Sequence, residues 1–317
     1  MQILELRELK LIFKTLAGSQ VYGTDTPESD TDTRGVVIPP KKAILGLQRF
    51  EQMDKFGDQD QVLYALDKAC KLCLDCNPNM LELLFTPNKY WLYCSPTWQR
   101  VLEIRNVFVS KKAKFTYSGY AHSQFQKINR HRQWAELEKA GTPPQKPHRK
   151  NYGLDPSQSL LNEEQLKAAT TLPTGVIVPE FQPLIAQERK YREDKNRWDE
   201  YNQWKQTRNP KRFALELKMG MDSKNALHLV RLMRMGREIL MTGQVNVDRR
   251  GIDAHELIQI REGAWSYEQL SEWFTRQDAE LDVLYESSTT RHKPDHKQVN
   301  DLLVDIYEQI LIRGISI

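Results

Sequence analysis

Long apolar runs are missing from this 317-residue chain. No stretch approaches the roughly 18 residues needed to cross a bilayer, so a membrane-spanning segment is not expected. The opening MQILELRELK is charged and has neither the apolar core nor the small-residue cleavage site of a secretory signal. A cytoplasmic protein with no membrane partner is the expectation. An excess of one charge sign is also lacking. The net charge is +4, too mild to imply a nucleic-acid partner, so any basic surface must be local. No internal repeat is visible.

Cysteine is sparse as well, with four residues: Cys70, Cys73, Cys76 and Cys94. The first three read C-x2-C-x2-C, a spacing that invites zinc or an iron–sulfur cluster. The surrounding YALDKACKLCLDC has a helical pattern, however. On a helix Cys70 and Cys73 share a face and Cys76 drifts away from it. Small buried hydrophobes are the better reading.

What is present describes a globular chain. Hydrophobic residues make up 39% and charged residues 28%, and the length suggests two domains. Residues 5–19 are apolar and β-compatible, and 30–38 read as a strand. A second strand near Gln61–Tyr64 leads into a helix over about Leu66–Leu74, which Asn77-Pro78 stops. Met80–Phe85 (MLELLF) reads as a short buried strand with one acid inside. This alternation predicts a mixed α/β module of about 100 residues. After Trp98 the texture is helical. Helical periods cover Lys111–Asn129, 179–207, Ser223–Thr242, Ala254–Arg261, Tyr267–Tyr285 and His296–Arg313. The stretch HRQWAELEKAGTPPQKPHRKNYG reads as a short helix and then a loop. The expected division is a core over 1–100 and a helical domain over 101–317 with a basic insert at about 131–215.

Chemistry concentrates in AGSQVYGTDTPESDTDTRGV, Ala17 to Val36. Asp30 and Asp32 enter an apolar strand one residue apart. Alternate strand residues face the same way, so the two carboxylates repel unless they share a cation. A hard divalent ion such as Mg²⁺ suits them and can hold substrate phosphates as well. Gly18-Ser19 supplies the other half: backbone that approaches a phosphate closely, exposed N–H groups and a hydroxyl. Glu82, flanked by Leu81 and Leu83, fits as a further acid for a second ion, because an unpaired carboxylate on a central strand would be costly.

The pattern GS-x10-D-x-D with a later acid resembles the DNA polymerase beta-type nucleotidyltransferase superfamily. More closely, GSQVYGTDTPESDTDTRGV, NPNMLELLF and KNALHLVRLMR resemble the RNA repair pathway DNA polymerase beta family, whose members are frequent in bacteriophages and bacteria. The resemblance implies an α+β fold, with a polymerase-beta-like core of mixed sheet and helices followed by a mainly helical domain. It implies a catalytic trio of Asp30, Asp32 and Glu82 binding two Mg²⁺ ions, with Mn²⁺ as the alternative metal. Gly18 and Ser19 would grip the triphosphate. The activity implied is transfer of NMP from a nucleoside triphosphate to an acceptor hydroxyl, an RNA or tRNA 3′ end in RNA repair. The setting could be a phage-infected bacterial cell. A protein or a second nucleotide as acceptor, or a non-catalytic RNA-binding role beside a ligase, are the competing readings.

Further residues fall into stripes. Lys224, His228 and Arg231 share one face of a helix at i, i+4 and i+7, and the family comparison suggests phosphate or base contact. Lys111, Lys114 and Ser118 form a second stripe, with Lys114 and Ser118 the candidates for holding the triphosphate. Arg34 and Gly35, right after the acid pair, read as a structural strand feature, with a phosphate contact by Arg34 the alternative. Lys127–Lys150 holds seven Lys or Arg against two Glu, with Trp134 inside and Tyr152 just beyond. That mixture suits single-stranded nucleic acid, by phosphate contact and base stacking. The aromatics of 179–207 read as a packing stripe.

Overall fold

The computed structural model describes residues 8–27, 29–47, 49–56, 59–156, 182–207, 213–214, 216 and 219–311. The parts of the expected elements at 5–7, 179–181 and 312–313 lie outside these. Two compact units emerge, one of residues 1–127 with 223–317 and one of residues 128–222.

The first unit is built on a five-stranded mixed sheet in the order β3-β4-β2-β1-β5. Its strands are β1 (Lys10–Ala17), β2 (Asp32–Ile38), β3 (Gln52–Phe56), β4 (Gln59–Ala65) and β5 (Trp91–Cys94). β1 pairs antiparallel with β2 and β5, whereas β2 and β4 run parallel. The chain therefore belongs to the α+β class, as expected. Ile12, Phe13, Val36 and Val37 are essentially sealed from solvent. Phe13 stacks on Trp98 at 5.0 Å and meets Trp91 edge-on at 5.7 Å. Gly35 answers a crowded crossing: a Cβ there would lie 2.7 Å from Leu63 Cδ2 and 2.9 Å from the Phe13 carbonyl.

Helices α1 (Ser19–Tyr22), α2 (Lys41–Leu45), α3 (Leu66–Leu74), α4 (Pro78–Phe85) and α5 (Pro96–Glu103) accompany the sheet. Residues 78–85 correct the expectation of a strand. Asn77 caps the helix by accepting from the Met80 amide, and Pro78 occupies the first helical position, where its missing N–H costs nothing. An apolar run this short does not by itself separate strand from helix; the Asn-Pro start does.

Helix α6 (Ala113–Lys139) continues through HRQWAELEK as one 27-residue helix, correcting the expected short helix. Helix α7 (Gln182–Thr207) matches the predicted long charged helix. Then follow α8 (Ser223–Thr242), α9 (Ala254–Glu262), α10 (Tyr267–Ser287) and α11 (His296–Leu311). No helix among the described residues is long and apolar enough to cross a membrane.

The cysteines behave as packing residues. Cys70, Cys73 and Cys76 are buried and all four are free thiols. Burial pushes the Cys70 thiol up to about 12 and raises Cys73 and Cys76 too. Cys73 donates to the Met80 carbonyl at 3.6 Å and Cys76 to that of Phe108 at 3.4 Å. A thiol held protonated is a poor metal ligand.

Candidate active site

Strand pairing assembles the candidate site. β1 ends at Ala17, whose ladder partner is Asp32, the first residue of β2. The next residue, Gly18, lies against the Asp32 carboxylate: a Cβ on Gly18 would stand 2.3 Å from Asp32 Oδ2. Gly18 also has φ +68° and ψ −148°, a conformation essentially confined to glycine. Its carbonyl then accepts from the Val21 and Tyr22 amides at 3.1 and 3.2 Å, so Ser19 opens the single turn α1. Gly18, Ser19 and Asp32 thus come together as expected. Asp30 lies two residues ahead of the ladder and is exposed, whereas Asp32 is half-buried. The first units of a helical turn carry N–H groups with no partner inside that turn.

Glu82 belongs to a buried network. It is 3% exposed and both its carboxylate oxygens are engaged. Oε2 accepts from the Tyr22 hydroxyl at 2.5 Å, and Oε1 accepts from Arg231 Nη1. The Arg231 guanidinium lies 3.8 Å from the centre of the Tyr22 ring. Burial raises the Tyr22 hydroxyl well above its ordinary value, despite the opposing pull of Arg231, and Glu82 adds to the rise. Burial alone would lower Arg231, but the Glu82 charge overrides it and holds the guanidinium charged. Glu82 therefore ties α4, α1 and α8 together. Gly18, Tyr22, Arg34 and Glu82 line one small crevice. Arg34 itself donates to the backbone and side-chain oxygens of Asn79, each at 3.1 Å.

The two stripes separate. On α8, Lys224 is exposed and His228 half-buried, but Arg231 is inside with Glu82. The three do not form one solvent-facing row, because Arg231 turns inward to pair with the buried Glu82. On α6, Lys114 pairs with Asp282 of α10 at 2.5 Å, and Lys111 donates to the Tyr285 carbonyl at 2.9 Å. Ser118 is buried on the same helix. These lysines bind a neighbouring helix.

Several residues that hold the site escaped the sequence reading. Arg250 Nη2 donates to the Gln20 carbonyl at 2.9 Å, the Arg249 amide to the Tyr22 carbonyl at 3.1 Å, and Arg261 to the Thr24 carbonyl at 3.0 Å. Three arginines from the helical part of the chain thereby brace the α1 turn.

The second unit holds a different cluster. His131, Glu216 and Asp222 are buried and offer three ligand atoms within 4.8 Å of one another. His131 Nδ1 lies 3.1 Å from Asp222 Oδ2, and the imidazole stacks near Trp134 at 5.7 Å. No sequence expectation named this trio.

Comparison with known proteins bears on the first part of the chain. Residues 1–152 match the family described as the RNA repair pathway DNA polymerase beta family. An uncharacterized 38.9 kDa protein of Enterobacteria phage T4 is 31% identical over 131 residues, covering 38% of this chain. The match spans 39% of that relative's length. No solved structure matches the chain.

Proposed function

We propose that this chain, whose residues 1–152 belong to the RNA repair pathway DNA polymerase beta family, is a nucleotidyltransferase that moves an NMP onto an RNA 3′ hydroxyl. The observation that carries the reading is the apposition of Gly18 and Asp32 at the paired ends of β1 and β2. A side chain at position 18 would fill the space that the carboxylate uses. Two nearby acids, one exposed and one half-buried, at the strand that pairs next to a glycine-led turn, suit a divalent cation and the phosphates it accompanies.

In this reading Asp30 and Asp32 hold the metal through hard oxygen donors, which suits Mg²⁺. When bound, the metal would lower the acceptor hydroxyl's pKa and offset charge on the triphosphate. Gly18 and Ser19 hold the triphosphate tail. The acceptor oxygen bonds to the α-phosphorus as the bond to pyrophosphate breaks, and the hydroxyl proton is lost. Positioning and charge stabilisation supply most of the rate. Glu82 is a positioning residue, since its oxygens serve Tyr22 and Arg231.

The test incubates the full chain with each labelled nucleoside triphosphate, Mg²⁺ and an RNA pool, beside Asp30→Ala and Asp32→Ala. Label should appear on RNA with the unaltered chain alone. Label on protein, or a small labelled product made without RNA, would transfer the chemistry to another acceptor. No Mg²⁺-dependent transfer to any acceptor would overturn the reading.

A further inference from the structure

The second unit contains a cleft of about 540 Å³ that takes no part in the chemistry above. The end of α6, the loop around Pro144 and Pro147, and the middle of α7 enclose it. Its lining combines Trp134, Tyr152 and Trp198 with Lys146, His148 and Arg197. The volume falls in the range of clefts that take small ligands, roughly 300–1,000 Å³.

We propose that this cleft holds an unpaired nucleotide of the RNA acceptor, with the base against the indoles and the backbone phosphates against the cations. The proposal rests on the RNA reading given above and names a second place where that RNA is held.

The aromatic walls are fixed before any ligand arrives. Trp134 is part of a buried cluster, its ring centre 5.5 Å from Trp204 and 5.9 Å from Tyr201. Tyr152 donates to Asp194 at 2.9 Å and meets Tyr191 edge-on at 5.5 Å. Trp198 is only partly buried, and Lys146 Nζ stands 5.4 Å from the centre of its ring. The loop carrying Lys146 and His148 is anchored where Arg149 makes two hydrogen bonds to the buried Glu188, at 3.0 and 2.8 Å. Proline at 144 and 147 restricts the backbone further.

Charge points the same way. Asp194, the carboxylate in the lining, accepts from Lys190 at 3.0 Å as well as from Tyr152. Lys146, His148 and Arg197 are exposed. Cations beside indole and phenol faces are the combination that binds single strands: phosphates meet the charges, and any base stacks on a ring. An acidic peptide would satisfy the cations but leave the aromatic faces uncovered.

The experiment measures binding of the full chain to a labelled single-stranded RNA of about ten nucleotides by fluorescence anisotropy, over a series of salt concentrations. Trp198→Ala should weaken binding five-fold or more, and Trp198→Phe should restore most of it. Lys146→Gln with Arg197→Gln should weaken binding and flatten its salt dependence. Asp32→Ala should bind RNA as the unaltered chain does while losing transfer. Equal affinity for Trp198→Ala, or preference for an acidic peptide over RNA, overturns the cleft. The first of those outcomes beside normal Mg²⁺-dependent transfer leaves the catalytic reading standing. Weakened binding by the cleft variants in a chain that transfers nothing supports the cleft and removes the catalytic reading.

Discussion

Arg231 and Glu82 lie 149 residues apart in sequence and form a buried ion pair, with 5% and 3% of their side chains exposed. The pair lies under the Tyr22 ring, at the end of the turn that Gly18 and Ser19 begin. A charged residue from α8 thus packs on the turn that follows β1.

Breaking that pair from one side leaves an uncompensated buried charge. Arg231→Met is expected to cost about 3–5 kcal/mol, seen as a lower midpoint in urea unfolding. Glu82→Leu in the same chain should recover much of the loss, since an apolar pair of similar volume is often no worse than a buried ion pair. A double variant as unstable as the single one would contradict the assignment.

Gly18→Ala should fold but transfer poorly. The new Cβ would meet Asp32 Oδ2 at 2.3 Å in a conformation with φ +68°, and such backbone strain costs on the order of 1–3 kcal/mol. Circular dichroism should report a folded protein, and NMP transfer should fall at least ten-fold. Unchanged transfer would mean that the close approach is not needed.

Glu82→Gln tests whether that carboxylate positions the turn or holds the metal. It should lower the unfolding midpoint, because Tyr22 and Arg231 lose their charged partner, and reduce transfer only in proportion to the folded protein lost. Lost transfer with an unchanged midpoint would return Glu82 to the metal.

Asp248 makes a pH prediction. Burial alone would raise its carboxyl, but Lys89 at 2.7 Å, the Arg250 amide and the Tyr90 hydroxyl hold it down to about 2. A carboxyl lowered on folding adds stability above its unfolded pKa, near 3.9, and loses it as pH falls through the folded value. Asp248→Asn should therefore be less stable than the unaltered chain at pH 5–7. The gap should close between about pH 4 and pH 2, as followed by unfolding curves at each pH. A gap independent of pH would show that the charge is not what matters.

Local signals in the chain were enough for much of the architecture. The periods over Leu66–Leu74 and Ser223–Thr242 match the observed helices, and the alternation before Ile38 matches β2. These patterns act over a few residues and carry their own physics: repeat, cap and breaker. Where the sequence reading failed locally, as at Pro78–Phe85, the Asn-Pro start signal was present but outweighed by the apolar run.

Sequence alone also singled out the candidate residues at the tight turn, because Gly18, Ser19, Asp30 and Asp32 lie within fifteen positions, and one pairing of β1 with β2 brings Gly18 to Asp32. The tertiary structure alone decided the partners of Glu82, the burial of Arg231 and the arginine brace on α1. Each depends on segments distant in the chain being brought together. Such contacts arise from the packing of whole elements and leave no periodic trace in either segment.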